Sequence, residues 1–99
     1  MEEIWKIIPT HPFYEASNKG HVRRVGKKNP RKPYKDKDGY LTVCLSEYNK
    51  IFSSKVHRLV AMTFIPNPNN YPQINHKNMI RDDNRVENLE WCTAKYNSH

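Results

Sequence analysis

Gln73-Ile74-Asn75-His76-Lys77 sets an amide and a histidine at the end of a short extended run. Asn84, Asn88-Leu89-Glu90-Trp91 and Asn97 answer it further along the chain. Gln73 to His76 reads as a brief strand, and Lys77 to Arg85 as a polar excursion with no hydrophobic period. Val86 to Trp91 reads as extended again, with Val86, Leu89 and Trp91 as core positions. Thr93 is then a plausible N-cap, opening a helix that carries Tyr96 and Asn97. The order is thus strand, long loop, strand, helix. An ordinary histidine, with a pKa of about 6.5, can take a proton from water near neutrality. Amide oxygens are hard donors of the kind that suit a divalent cation.

Working outward, Val56, Leu59, Val60 and Thr63-Phe64 recur at three- and four-residue steps, which predicts a short helix over 57–64. Pro66 and Pro68 forbid its continuation. Leu59, Val60 and Phe64 are expected to pack against a hairpin running from about Tyr40 to Val56. In that hairpin Leu41, Val43 and Leu45 share one strand face, and Tyr48-Asn49-Lys50 is the turn. His57 reads as a structural or phosphate-facing histidine in preference to a catalytic one. Nearer the N-terminus, Glu2 to Ile8 is a short apolar run that Pro9 stops. Phe13 to Ala16 and His21 to Val25 are expected to pair across an Asn18-Lys19-Gly20 turn.

Between Lys19 and Lys37 lie nine basic residues (Lys19, Arg23, Arg24, Lys27, Lys28, Arg31, Lys32, Lys35 and Lys37) against Asp36 alone. Pro30 and Pro33 keep the centre of this stretch out of helices and interior strands. It reads as a loop lying along a nucleic-acid backbone, each neutralised phosphate steepening the salt dependence of binding. Phosphate contacts of this kind position a protein without specifying sequence. The competing reading is a solvated connection. Tyr14, Tyr34 and Tyr40 could stack on unpaired bases, which leaves RNA as a weaker third alternative.

The whole chain of 99 residues carries a formal charge of +7 and an isoelectric point near 9.5, which favours a polyanionic partner. Its length allows one small domain, or two half-domains sharing a core. Mean hydropathy is low at −0.96, but an aromatic content of 11% argues against simple disorder. Cys44 and Cys92 form no CxxC pair, which excludes a four-cysteine zinc site. They read as small buried residues. No apolar run approaches the roughly 18 residues that span a bilayer. The expectation is a soluble protein without a membrane partner, in the cytoplasm of a bacterial or phage-infected host cell.

Trp5 and the string Tyr14-Glu15-Ala16-Ser17-Asn18-Lys19-Gly20-His21-Val22-Arg23 resemble the NUMOD4 module. Val56-His57-Arg58-Leu59-Val60-Ala61, Phe64-Ile65-Pro66-Asn67-Pro68, Asn75-His76-Lys77, and Asn84 followed by Asn88-Leu89-Glu90-Trp91-Cys92-Thr93 and Asn97 resemble the HNH domain. Both are found together in phage and intron-encoded homing endonucleases. The resemblance implies an α+β fold: a small β-rich, basic DNA-binding module over 1–38, and a ββα-metal (His-Me finger) nuclease domain with a leading hairpin over 39–99. It implies a metal-dependent endonuclease that hydrolyses phosphodiesters of double-stranded DNA. His76 matches the general base and Asn88 the middle asparagine, which braces the loop and orients the base. Asn75 and Asn97 match metal-ligand positions, for one Mg²⁺ or Mn²⁺ per site. Arg23, Arg24, Lys27, Lys28, Arg31, Lys32, Lys35, Arg58 and Lys77 are the expected DNA contacts. A monomer is favoured, which would nick one strand, and low sequence specificity is expected.

Three departures from the family pattern bear on this reading. Asn75 is neutral where many relatives carry aspartate, which weakens the expected hold on a cation. His76-Lys77-Asn78-Met79-Ile80 lacks the glycine of the family's usual histidine-lysine-aspartate-glycine-asparagine loop, so the loop is expected to turn differently. A helix from Thr93 to His99 is short, so either another surface holds it or the sequence is a piece of something longer. The alternative is therefore a catalytically weakened or inactive DNA-binding protein on the same fold.

Overall fold

The computed structural model describes residues 2–93. Among these residues, three antiparallel sheets surround one α-helix. Trp5–Ile8 (β1), His11–Ser17 (β2) and Val22–Arg24 (β3) form the first, in the order β1-β2-β3. Its β2–β3 turn is pinned by the Ser17 side chain, whose Oγ accepts the backbone N–H groups of Lys19 (3.2 Å) and His21 (3.1 Å). Gly20 completes the turn at φ +92°, a conformation that costs a side-chain-bearing residue strain.

Tyr34–Lys35 (β4), Leu41–Glu47 (β5) and Lys50–Lys55 (β6) form the second sheet. The β5–β6 hairpin lies where the sequence placed it, but Lys50, read as part of the turn, opens β6 opposite Glu47. Its two loop residues, Tyr48 and Asn49, sit at φ 50° and 63°, the backbone of a two-residue hairpin turn whose twist matches its strands. Asparagine suits that conformation. Tyrosine does not, and its ring is held edge-on against Phe13, with centroids 5.5 Å apart. β4 is a difference from the sequence reading. It lies inside the basic stretch expected to be irregular, and pairs at the sheet edge just beyond Pro33, where a proline can flank a strand.

Val56–Phe64 (α1) matches the helix read from the 3.6-residue period. The expectation that it packs on the hairpin was too narrow, because α1 contacts all three sheets. Leu59, Val60 and Ala61 are buried in one cluster with Ile8, Tyr14, Ala16, Val43, Leu45, Ile74 and Leu89, so a single core joins the N-terminal strands to the C-terminal ones. Phe64 is only partly buried, beneath the Lys6 ammonium at 5.3 Å. Each fully buried aliphatic side chain of this cluster contributes about 1.5–3 kcal/mol.

Gln73–His76 (β7) and Leu89–Cys92 (β8) pair as a two-stranded ribbon. Between them the chain differs from the extended reading at one point: Val86–Asn88 is a single 3₁₀ turn. The backbone N–H of Asn88 bonds the Arg85 carbonyl (2.9 Å), and that of Val86 is drawn off to the Asn18 carbonyl (2.9 Å). The expected helix from Thr93 falls outside the described residues.

Candidate active site and nucleic-acid interface

His76 ends β7 with its side chain turned into the molecule, and the residue is 6% exposed. Its Nε2 lies 2.8 Å from Asn84 Oδ1. A carbonyl oxygen can only accept, so Nε2 carries the proton and Nδ1 keeps its lone pair. Among the described residues Nδ1 has no hydrogen-bond partner. The ring packs against His57, centroids 5.1 Å apart, and Tyr40, at 5.9 Å. Asn84 is itself fixed. It is 3% exposed, and its backbone abuts Gly20 so closely that a Cβ there would lie 2.9 Å from the Asn84 carbonyl atoms. The Asn18-Lys19-Gly20 turn of the first sheet is thus the backing of the His76 loop.

Asn88 holds the same loop from the other side. Its Oδ1 accepts the Asn78 N–H (3.0 Å), and its Nδ2 donates to Asn78 Oδ1 (2.9 Å) and the Asp83 carbonyl (2.8 Å). These bonds make it a brace that sets where the loop leaves and rejoins the ribbon. Asp83 is clamped by Arg85, and that guanidinium holds its carboxyl well below the usual carboxylate range. The missing glycine does not remove the positive-φ position: Met79 itself takes φ +64°, exposed, with its N–H bonded to the His76 carbonyl (2.8 Å).

Asn75 precedes His76, and strand alternation turns it to the opposite face of the ribbon. There its Nδ2 donates to Glu90 Oε1 at 3.0 Å, across the β7–β8 pair. That leaves Asn75 Oδ1 a hard oxygen donor with no hydrogen-bond partner among the described residues. Among the described residues no three His, Cys, Asp or Glu side chains gather as a metal-ligand cluster. An amide oxygen with few protein partners fits a magnesium-type ion whose shell is completed by water and phosphate. Asn97, the second expected ligand, lies outside the described residues.

His57 lies beside His76 and Tyr40 instead of facing solvent, with its Nδ1 buried and unpartnered among the described residues. Burial chiefly, then repulsion from His76, Arg58 and Lys55 against weak attraction from Asp36, lowers its pKa to about 4. It is therefore neutral near pH 7 and puts no charge next to His76. In the unfolded chain it would bind a proton below about 6.5, so folding stability should fall as pH drops from there towards 4, by up to roughly 3 kcal/mol. Thermal melting between pH 7 and pH 4.5 checks this: His57→Phe should flatten the decline, and an unchanged slope would refute the assignment. The paired aspartates act lower, since Lys55 holds Asp36 down to about 2.

The basic residues divide into two groups. Arg23 bonds Glu15 at 3.0 Å and stacks on Trp5 at 3.9 Å, and Arg31 donates twice to the Cys44 carbonyl. Both are tied into the fold. Arg24 reaches the Ser46 carbonyl at 3.5 Å. Lys35 pairs with Asp82 at 3.3 Å, and Arg81 donates to the Asp38 carbonyl, so the basic arm is linked to the His76 loop. Lys27, Lys28 and Lys32 are exposed and in no ion pair among the described residues. With Arg24, Arg31 and Tyr34 they line an open cleft of about 600 Å³, and no Asp or Glu among the described residues lines it. Arg58, on the exposed face of α1, donates to the Pro72 carbonyl, and Lys77 is exposed beside His76. Tyr14 is fully buried and bonded to Ser46, which removes it as a base-stacking surface.

Sequence reading did not assign roles to Asn84 or Glu90, and offered Tyr40 only as a base-stacking surface, whereas its ring packs on His57 and His76. Asn84 stood in the motif, at a spacing that could have drawn attention to it. Tyr40 and Glu90 meet the site only through tertiary contacts and strand register, which spacing alone does not reveal.

Residues 3–46 match the family model described as NUMOD4 motif, and residues 54–99 the one described as HNH endonuclease. The chain is 53% identical over 66 residues to an uncharacterized HNH endonuclease of Acanthamoeba polyphaga mimivirus, covering 67% of this chain and 20% of that one. It is 34% identical over 94 residues to the DNA endonuclease I-HmuI of Bacillus phage SP01, covering 94% of this chain and 54% of that protein. A solved structure titled DNA binding and cleavage by the HNH homing endonuclease I-HmuI superposes with a TM-score of 0.83 at 34% identity, over 98% of this chain and 55% of the other. The chain thus spans about half the length of I-HmuI, and less of the viral relative.

Proposed function

The chain belongs to the HNH endonuclease family, and on that premise we propose that it hydrolyses phosphodiester bonds of double-stranded DNA with one divalent metal ion. The observation that carries the proposal is the His76–Asn84 bond. It fixes one tautomer and leaves a lone pair on Nδ1, the state a general base requires. The family implies Mg²⁺ or Mn²⁺, which when bound would act as a Lewis acid towards phosphate and the leaving oxygen. Asn75 and Asn97 would hold it.

In this reading each residue has one task. His76 takes the proton from the attacking water at Nδ1. Asn84 keeps the imidazole turned and Asn88 keeps the loop in place. His57 and Tyr40 exclude water from the inner side of the ring. Lys27, Lys28 and Lys32 hold the duplex by its phosphates with Arg24, Lys35, Arg58 and Lys77 at the margins, and Arg23 and Arg31 shape the arm. Contacts of this kind select little sequence, and one His76 per monomer would cut one strand.

The lysine cleft can be tested separately from the chemistry. Each phosphate contact contributes about 0.9 to the slope of log K against log salt. Replacing Lys27, Lys28 and Lys32 by alanine should therefore flatten that slope by up to about 2.7. An unchanged slope would move the DNA surface elsewhere.

A mobility shift of a duplex oligonucleotide in EDTA, followed by Mn²⁺ addition to the preformed complex, tests the whole reading. A salt-sensitive complex that converts to a singly broken strand is expected. A complex that never breaks would leave a DNA-binding protein on a nuclease fold, and no complex at all would contradict the proposal.

A further inference from the structure

The Asn75–Glu90 pair answers the question raised by a neutral residue at a metal-ligand position. Glu90 is half-buried on β8, directly opposite Asn75. Its Oε1 accepts the Asn75 amide hydrogen at 3.0 Å. In a chain of net charge +7 it takes part in no ion pair among the described residues. It also lines an open cleft of about 340 Å³ with Tyr71, Lys77 and Trp91. A carboxylate in no ion pair among the described residues, fixed against the amide of an expected metal ligand, has two effects. It orients that amide, because Nδ2 must point at Glu90 and Oδ1 away from it. It also supplies the negative charge that asparagine lacks.

We propose that Glu90 is a positioning residue of the cation site, holding Asn75 Oδ1 outward and providing across the strand pair the charge that an aspartate would carry at position 75. The inference rests on the metal-dependent reading above. Where the ligand is neutral and its hydrogen-bonding partner charged, the pair carries the same net charge as a ligating aspartate beside a neutral partner. Removing an outer partner of a metal ligand typically weakens the metal by about 10- to 100-fold.

Charge relocation in the full chain provides the test. Mn²⁺ is titrated against wild type, Asn75→Ala, Glu90→Gln and the double variant Asn75→Asp/Glu90→Gln. Free Mn²⁺ is read by electron paramagnetic resonance, and the Mn²⁺ concentration for half-maximal DNA cleavage is measured in parallel. Glu90→Gln keeps an acceptor for the Asn75 amide but loses the charge. It should bind Mn²⁺ about 10- to 100-fold more weakly, with its maximal cleavage rate at saturating Mn²⁺ retained and its duplex affinity in EDTA unchanged. The double variant should recover most of the lost Mn²⁺ affinity, a rescue that a purely structural role for Glu90 would not give. Glu90→Gln binding Mn²⁺ as wild type does, while Asn75→Ala does not, would overturn the role of Glu90 and keep the metal centre. Wild type and Asn75→Ala binding Mn²⁺ alike would overturn both.

Discussion

His76→Ala is expected to lower the single-turnover rate of DNA cleavage by about 10²- to 10⁴-fold, the range that a positioned general base contributes. Affinity for duplex should stay the same, because the exposed lysines of the basic cleft lie on a different part of the chain. The imidazole is buried against Tyr40 and His57, so alanine also leaves a void and some destabilisation will follow. His76→Gln fills more of the space and can still bond Asn84, yet it offers no basic nitrogen. Both variants should be inactive, with the glutamine protein closer to wild type in melting temperature. Activity retained in either one, measured on protein shown to be folded, would mean that another group takes the proton.

Gly20→Ala is expected to damage both fold and site from a position outside the HNH segment. At φ +92° an alanine is strained, by about 1–2 kcal/mol. Its Cβ would also lie 2.9 Å from Asn84 backbone atoms, and backbone does not yield cheaply. A total loss of roughly 2–4 kcal/mol would drop the melting temperature by about 10–20 °C. Asn84 can give way only by shifting the oxygen that holds His76, so cleavage should slow even below the melting transition. Gly26→Ala is the control: its φ is +87° but nothing lies within 4 Å of the added Cβ. It should show the backbone cost alone and cleave at the wild-type rate. Equal effects from the two substitutions would remove the link between the first turn and the site.

Much of this was legible beforehand because periodicity and turn chemistry are local. The three- and four-residue steps of Val56, Leu59, Val60 and Phe64 sufficed for the helix, and strand alternation around a Tyr48-Asn49-Lys50 turn sufficed for the hairpin, although its loop is Tyr48 and Asn49 alone. The 3₁₀ turn over Val86–Asn88 was not legible, since it depends on an Asn18 carbonyl distant in sequence. Arg23 and Arg31 looked equivalent to Lys27 and Lys28 as charges. What separates them is a partner: Glu15 and Trp5 for one, the Cys44 carbonyl for the other. The motif supplied His76, Asn75 and Asn88, but the Asn84 bond, the buried His57 and the Glu90 partnership follow from register and packing. Asn97 and the helix proposed to carry it fall beyond the described residues, and the part assigned to Asn97 stays a proposal.

The most direct measurement is conversion of supercoiled plasmid by the wild-type chain in Mg²⁺ or Mn²⁺, with EDTA as the control. The expected result is relaxed circle formed only in the presence of metal, with linear product appearing late from accumulated nicks. Plasmid left supercoiled at protein concentrations that fully shift it in a gel would contradict the claim that the His76 centre cleaves DNA.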